Sequence, residues 1–317
     1  MKSQFVEELK AGQTVKDKFI LSKKILKEKK DGGSFSLTEF SDRTGTIEGI
    51  AWDNASDEVR AIPAGEFVYV SGNVNEYNDR LQIVVQAISR LSEDEINSED
   101  FLPGPDEDIN AVMSEITDYV KQVQNTHLRK LLDLFFGDMF ITNLFRQAPA
   151  AKRAHHAHLG GLAVHTRTVV KQVTLIQTTY SFVNKDLLIA GALLHDIGKI
   201  YEYTYHKKID ISTRGRLIGH IVIGCDMVKE KIDKIPHFPE ELKLKVLHMI
   251  LSHHGELEYG SPKLPSFPEA IILHFIDNLD SKVEMMNDAI RRSRGIEKEW
   301  SDYHPFLERE IYLKEEE

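Results

Sequence analysis

Residues 187–199 read LLIAGALLHDIGK. Eight apolar residues run without a polar face. The run is too short to span a membrane and too evenly apolar for a surface helix, so it reads as a buried helix. It stops on His195-Asp196. Two polar side chains at the end of a buried helix are costly unless something inside the protein binds them. Working outward, the chain supplies His165 upstream, then His220, the doublet His253-His254 and Asp277 downstream, each in or at the end of a stretch with helical periodicity. Imidazole and carboxylate are the ligands that hold borderline divalent cations while leaving positions open to water. A neighbouring His-Asp pair can give one ligand to each of two ions, with the carboxylate between them. A single helical histidine is ordinarily structural; five such elements in this order argue for a metal site. No histidine occurs before His127, so the first third of the chain does different chemistry.

That first third alternates like β-structure. FILSKKILKEKK, SFSLTEFSD and TIEGIAW are separated by turns at Asp31-Gly32-Gly33 and Asp42-Arg43-Thr44-Gly45. DNASDEVRAI suits a short helix, and FVYVSGNVNEY and LQIVVQAI are two more strands joined near Asn78-Asp79. About five strands with one helix between the third and fourth is the order of an OB-fold, a small Greek-key barrel. Such a barrel offers a single-strand-binding surface. Candidate stacking residues are Phe35, Phe40, Trp52, Tyr69 and Tyr77, with Lys23, Lys24, Arg43 and Arg80 near the nucleic-acid backbone. Alternation sends about half of such aromatics into the barrel core instead. From Ile109 onward the periodicity is helical, with a short hairpin or loop at 204–212 as the one exception. The fold class is multi-domain α and β: an N-terminal β-barrel followed by an all-α domain.

The chain has 317 residues, 40 basic and 50 acidic, for a net charge of −10. That sum alone argues against a polyanion partner. Yet residues 91–118 carry ten acids and no Lys or Arg, so the rest of the chain is neutral and free to hold basic patches. With Pro103-Gly104-Pro105 inside it, this stretch reads as an exposed linker. The expected domains are 1–90, the barrel; 91–118, an acidic linker and the start of a linking helix; and 119–317, an all-α domain with a C-terminal helical tail. Residues 119–160 hold six basic and two acidic side chains. Lys152 and Arg153, with Arg146 and Arg167, suit the entrance of a phosphate channel. His155, His156 and His158 precede Gly160-Gly161, where they can touch substrate or support ligands. One cysteine, Cys225, excludes internal disulfides and cysteine-based zinc sites. No apolar run of membrane length and no signal-like N-terminus are present, so a cytoplasmic location is expected. Apolar residues in the tail, among them Trp300 and Phe306, are available to pack on a neighbouring subunit.

The ordered set of His, His-Asp, His, His-His and Asp, with HDIGK at its centre, resembles the HD superfamily of metal-dependent phosphohydrolases. PAAKRAHHAHLGGLAVHT (149–166), joined to a barrel of OB type, narrows the resemblance to the YhaM-type 3′-to-5′ exoribonucleases of Gram-positive bacteria. It covers nearly the whole chain, to about residue 300. The resemblance implies that His165, His195, Asp196 and Asp277 hold a first metal. Asp196 bridges to a second, held by His220 and by His253, His254 or both. Asp280, one turn beyond Asp277, is the reserve ligand. Lys199 falls where these enzymes place a cation near the phosphate, so Asp196, His195 and Lys199 are the expected catalytic residues. Two divalent ions are implied, manganese before cobalt or iron, with single-stranded RNA as partner and single-stranded DNA as the alternative. Three rival readings stand beside this one: a small-nucleotide phosphohydrolase with a regulatory barrel, a non-catalytic strand-binding protein, and a di-iron oxygenase.

Overall fold

The computed structural model describes residues 2–28, 33–78, 80–105, 107–152, 156–293 and 298–314, without the side chains of Glu93 and Arg292. The chain divides into two compact units, Met1–Gly104 with Tyr205–Lys208, and Pro105–Thr204 with Ile209–Glu317.

The first unit is a closed barrel. Its strands are β1 (Thr14–Glu28), β2 (Ser34–Asp42), β3 (Gly45–Trp52), β4 (Phe67–Tyr77) and β5 (Arg80–Arg90), and helix α1 (Asp53–Ala61) lies between β3 and β4. The barrel order is β1-β2-β3-β5-β4, closed by a parallel pairing of Glu48–Ala51 in β3 with Gln82–Val85 in β5. Alternation decides what fills it. Ser36, Thr38, Phe40 and Asp42 of β2 are buried, while Phe35, Leu37, Glu39 and Ser41 face outward. Val59 and Ala55 of α1 join Phe19, Phe40, Val70 and Ile83 in the core. The N-terminal residues are strapped to the barrel by two buried acids. Asp17 Oδ2 accepts the Ser3 and Gln4 amides, both at 2.6 Å, and Asp42 pairs with the Lys2 ammonium at 3.2 Å.

The acidic stretch does not run free as the sequence reading had it. Phe101 and Leu102 are buried, Phe101 stands edge-on to Phe67 at 4.9 Å, and Arg43 N donates to Asp100 O. Its second half opens α2 (Ile109–Gln122), capped by the Asp108 carboxylate. Two apolar residues among ten acids are enough to dock it, because each buries most of its surface.

The second unit continues with α3 (Thr126–Phe136), α4 (Met139–Gln147), α5 (Gly161–Thr179), α6 (Lys185–Leu194) and α7 (Lys199–Glu202). A two-stranded sheet follows, β6 (Tyr203–Thr204) and β7 (Asp210–Ile211), then α8 (Thr213–Ile218), α9 (His220–Ile232), α10 (Glu240–Ser252) and α11 (Pro268–Arg292). Helix α6 is buried from Leu187 to Leu194, as its lack of a polar face demands, and α5, α10, α11 and α2 pack around it. The tail corrects an expectation: its described part is no helix. It folds back on itself, with Ser301 N donating to Ile311 O and Leu313 N to Glu299 O, and with Trp300 packed on Tyr312. Pro305 cannot donate to a helical ladder. No helix among the described residues is long and apolar enough to cross a membrane.

Candidate metal centre

Five elements bring their polar ends to one point beside α6. His165 sits one turn into α5, His195-Asp196 follow α6, and His220 is the first residue of α9. His253 follows α10, and Asp277 lies on the inner face of α11. The turn after α6 has a physical reason for its glycine. A Cβ on Gly198 would lie 2.1 Å from His220 O, so only glycine lets α9 begin this close to the His-Asp pair.

The side chains form two groups sharing Asp196. In the first, His165 Nε2 lies 3.2 Å from His195 Nε2, 3.1 Å from Asp277 Oδ1 and 3.5 Å from Asp196 Oδ2. In the second, Asp196 Oδ1 lies 3.5 Å from both His220 Nε2 and His253 Nε2. The candidate ligand atoms of His220, His253 and His254 all fall within 4.8 Å of one another. Asp196 thus turns one oxygen to each group.

Hydrogen bonds at the far side of each ring fix what faces the centre. Nδ1 is engaged by Asp280 Oδ2 at 2.7 Å in His165, by Ala192 O at 2.8 Å in His195 and by Glu202 at 3.0 Å in His220. In His253 and His254 it is engaged by Ile250 O and Tyr259 O, both at 2.7 Å. A ring that donates from Nδ1 presents a bare lone pair at Nε2. Five imidazole lone pairs and two carboxylates therefore converge in a buried space. Among the described residues, Asp196 Oδ1, His220 Nε2 and His253 Nε2 are buried without a hydrogen-bond partner. Acceptors without a donor repel one another, and each buried orphan costs roughly 1–3 kcal/mol. A divalent cation satisfies them all, so the donor set fits a pair of such ions.

The protonation pattern agrees. Burial resists charge on His165, yet the Asp277 and Asp280 carboxylates against it push its pKa up to about 10. Positive charge is wanted at that point, and a proton supplies it when a cation does not. Burial, then His253 and His220, push His254 down to about 3, leaving it neutral and able to ligate. Lys199 is buried too, its ammonium 2.7 Å from Asp196 Oδ2, which holds its pKa up against the cost of burial.

Comparison with known proteins follows the same division. Residues 162–282 match the family model of the HD domain, and residues 19–91 match that of an OB-fold nucleic acid binding domain. The chain is 36% identical to the 3′-5′ exoribonuclease YhaM of Bacillus subtilis (strain 168) over 279 residues, 87% of this chain and 88% of that protein. This chain belongs to the YhaM family. Two solved structures also resemble it over 28% of its length. One is the second OB-fold domain of replication protein A from Methanococcus maripaludis, 23% identical, with 94% of that chain covered and a TM-score of 0.25. The other is an OB domain from Methanosarcina mazei, 30% identical, with 83% covered and a TM-score of 0.24.

In this member of the family the barrel sorts the candidate strand-binding residues. Trp52 and Tyr77 are 42% and 66% exposed, and Phe35 stacks on Trp52 at 5.1 Å and 27°. Tyr69 is exposed as well. Arg43 lies over the Phe5 ring at 4.4 Å, while Lys23 and Arg80 keep exposed charges 3.8 and 3.7 Å from Glu39 and Glu48. Two of the expected contacts are corrected. Phe40 is wholly buried on the inward side of β2 and offers no face to a base. Lys24 donates to Val59 O, Arg60 O and Ile62 O, so its ammonium closes the C-terminal end of α1, where the helix dipole favours a cation.

The channel residues change meaning too. Lys152 pairs with Asp210 at 2.6 Å, and Arg146 donates to Asn110 Oδ1. Arg167 is clamped by both oxygens of Glu107, at 2.6 and 2.8 Å. Arg153 lies outside the described residues. His156 is buried, not strand-facing, with Nε2 3.3 Å from Asp280 Oδ2.

Further side chains brace the ligands from behind. Asp280 holds the far side of His165, and Glu202 does the same for His220. His274 donates from Nδ1 to His253 O at 3.0 Å. Gly255, at φ 79°, lies under the His274 ring, where a Cβ would sit 2.1 Å from Cε1. The signal was present: His274, Asp277 and Asp280 recur every three residues on one face of α11.

Proposed function

We propose that this chain is a metal-dependent 3′-to-5′ exoribonuclease that hydrolyses single-stranded RNA to nucleoside 5′-monophosphates. The observation that carries the reading is the pair of lone-pair clusters sharing Asp196, joined in one chain to a barrel that exposes Trp52 and Tyr77. His165, His195 and Asp277 would hold one divalent ion, and His220, His253 and His254 the other, with Asp196 between them. Manganese is the expected ion, with cobalt and iron as alternatives, because imidazole-rich sites favour softer cations than all-oxygen sites do. When bound, such a pair supplies an activated water and a clamp for the phosphate.

The chain's own groups do the rest. Asp280, Glu202 and His274 hold rings and backbone in place, so little reorganisation accompanies the reaction. The Lys199 ammonium stays charged beside Asp196 and offsets negative charge close to the phosphate. Water attacks the terminal phosphodiester in line with the departing 3′-oxygen, which leaves a shortened strand with a free 3′-hydroxyl. A covalent intermediate on cysteine is not part of this scheme: burial first, then Asp226, push the Cys225 thiol up to about 12. Phe35, Trp52 and Tyr77 stack bases, and Arg43, Arg80 and Lys23 follow the phosphates.

The test is a 5′-labelled single-stranded RNA given to metal-stripped protein, with manganese then added and His195→Ala as control. A ladder that shortens from the 3′ end only with metal, and not in the variant, supports the proposal. Intact RNA beside turnover of a small phosphodiester would replace it with a nucleotide phosphohydrolase.

A further inference from the structure

Helix α11 carries Asp277 and Asp280 on its buried side. At 100° per residue, Phe275 and Leu279 stand about 200° from Asp277, on the opposite side. That outer side is apolar. Phe275, Leu279 and Val283 are 61%, 51% and 55% exposed, spaced four residues apart along one stripe. Beside the first half of the helix lies a groove of about 410 Å³. Its walls include Ile176 and Tyr180 at the end of α5, Phe182 just beyond, and Ile271 and Phe275 of α11; Phe182 is 74% exposed.

The groove and the ridge sit on the same helix, about one to two turns either side of Phe275. We propose that they form an isologous dimer interface between two copies of this chain, with α11 packed antiparallel on α11 of the partner subunit. With the twofold axis next to Phe275, Leu279 of one copy falls opposite Ile272 of the partner subunit. Val283 falls opposite Pro268 of the partner subunit, so each ridge enters the other groove.

The area is sufficient. The exposed parts of Tyr180, Phe182, Ile271, Phe275, Leu279 and Val283 come to about 600 Å² per copy. Burying all of it on both copies removes about 1,200 Å² from water, the lower limit for a specific interface. A patch of that size stands at the upper end of what a single chain leaves uncovered, where such patches are often interaction sites. The dimer is expected to dissociate on dilution.

Light scattering and sedimentation of the full-length protein, from ~1 to ~100 µM, test this. The wild type should move from 36.2 kDa toward twice that mass as concentration rises. Phe275→Glu and Leu279→Glu should each hold it at the monomer mass. Manganese binding by the variants shows that they fold, since none of these side chains lines the metal centre. A wild type that stays monomeric throughout, or a dimer whose mass the two variants leave unchanged, overturns the proposal.

Discussion

Asp280→Asn separates a residue that braces a ligand from one that ligates. Asp280 Oδ2 accepts His165 Nδ1–H at 2.7 Å and lies 3.3 Å from His156 Nε2. A charged acceptor at that distance is worth about 1.5–3 kcal/mol, and a neutral amide about half as much. The substitution keeps the shape and removes the charge, so His165 becomes a weaker donor to the metal and its tautomer is held less firmly. The loss of about 0.8–1.5 kcal/mol corresponds to roughly 4- to 13-fold weaker manganese binding, at the lower end of the range known for such supporting groups. Calorimetric titration of metal-stripped protein reads both affinity and stoichiometry. Asp280→Asn should keep the wild-type stoichiometry with weaker binding, and excess manganese should restore turnover. Asp277→Asn, which removes a ligand oxygen, should not be rescued. Unchanged affinity in Asp280→Asn would refute the bracing role. Loss of one bound ion would show that Asp280 is itself a ligand.

Three further outcomes follow from named contacts. Trp52→Ala should weaken single-stranded RNA binding by about 1–3 kcal/mol with little change in melting temperature. Phe40→Ala should cost about 3–5 kcal/mol of stability; fluorescence anisotropy and thermal melts distinguish the two, and the reverse pattern would invert the barrel's assignment of faces. Gly198→Ala places a methyl against a carbonyl oxygen and not against a movable side chain. It should destabilise by about 1–3 kcal/mol and abolish tight binding at the His220 side of the centre, which is wrong if metal stoichiometry and melting both hold. Asp17 is buried, a condition that would raise its pKa, yet the amides of Ser3, Lys18 and Gln4 outweigh burial and hold it below the usual carboxylate range. A lowered folded pKa contributes stability that is present above about pH 4 and is lost as pH falls through the folded value. The urea midpoint of Asp17→Asn should therefore lie below wild type at pH 6 and meet it in acid; a constant gap would remove the carboxylate from the account.

The barrel was legible because its strands are half buried. Period-two alternation marked β2 and β3 residue by residue, and the same alternation left Phe35 and Phe40 indistinguishable in chemistry. They differ by five positions, an odd number, so they must face opposite ways, and only the barrel's closure says which way is in. Lys24 escaped the same reasoning because its fate depends on α1, whose carbonyls reach it across 35 to 38 residues. A basic run in a sequence carries no sign of the acceptors that will neutralise it, and Lys152 and Arg167 show the same limit. The tail failed for a local reason that was visible: Pro305 stands in the middle of an apolar periodicity, and the proline decides against a helix.

The metal centre was legible for a different reason. Its residues are costly to bury, so their presence at the end of α6 demanded partners, and the helices offered histidine and aspartate in the order to which the resemblance to the HD superfamily assigns ligand roles. That argument reaches the atoms facing the centre and stops there. It says nothing of Nδ1, because a backbone carbonyl such as Ala192 O or Ile250 O has no residue type to betray it. Where the support is a side chain, the information returns. Asp280 and His274 share the helical face of Asp277, three residues away on either side, so a face that carries one ligand names its own braces. The opposite face of the same helix is then the place where nothing in the metal chemistry accounts for Phe275, Leu279 and Val283. An exposed apolar stripe there needs a separate cause, and a second copy of the chain provides one with the same residues on both sides.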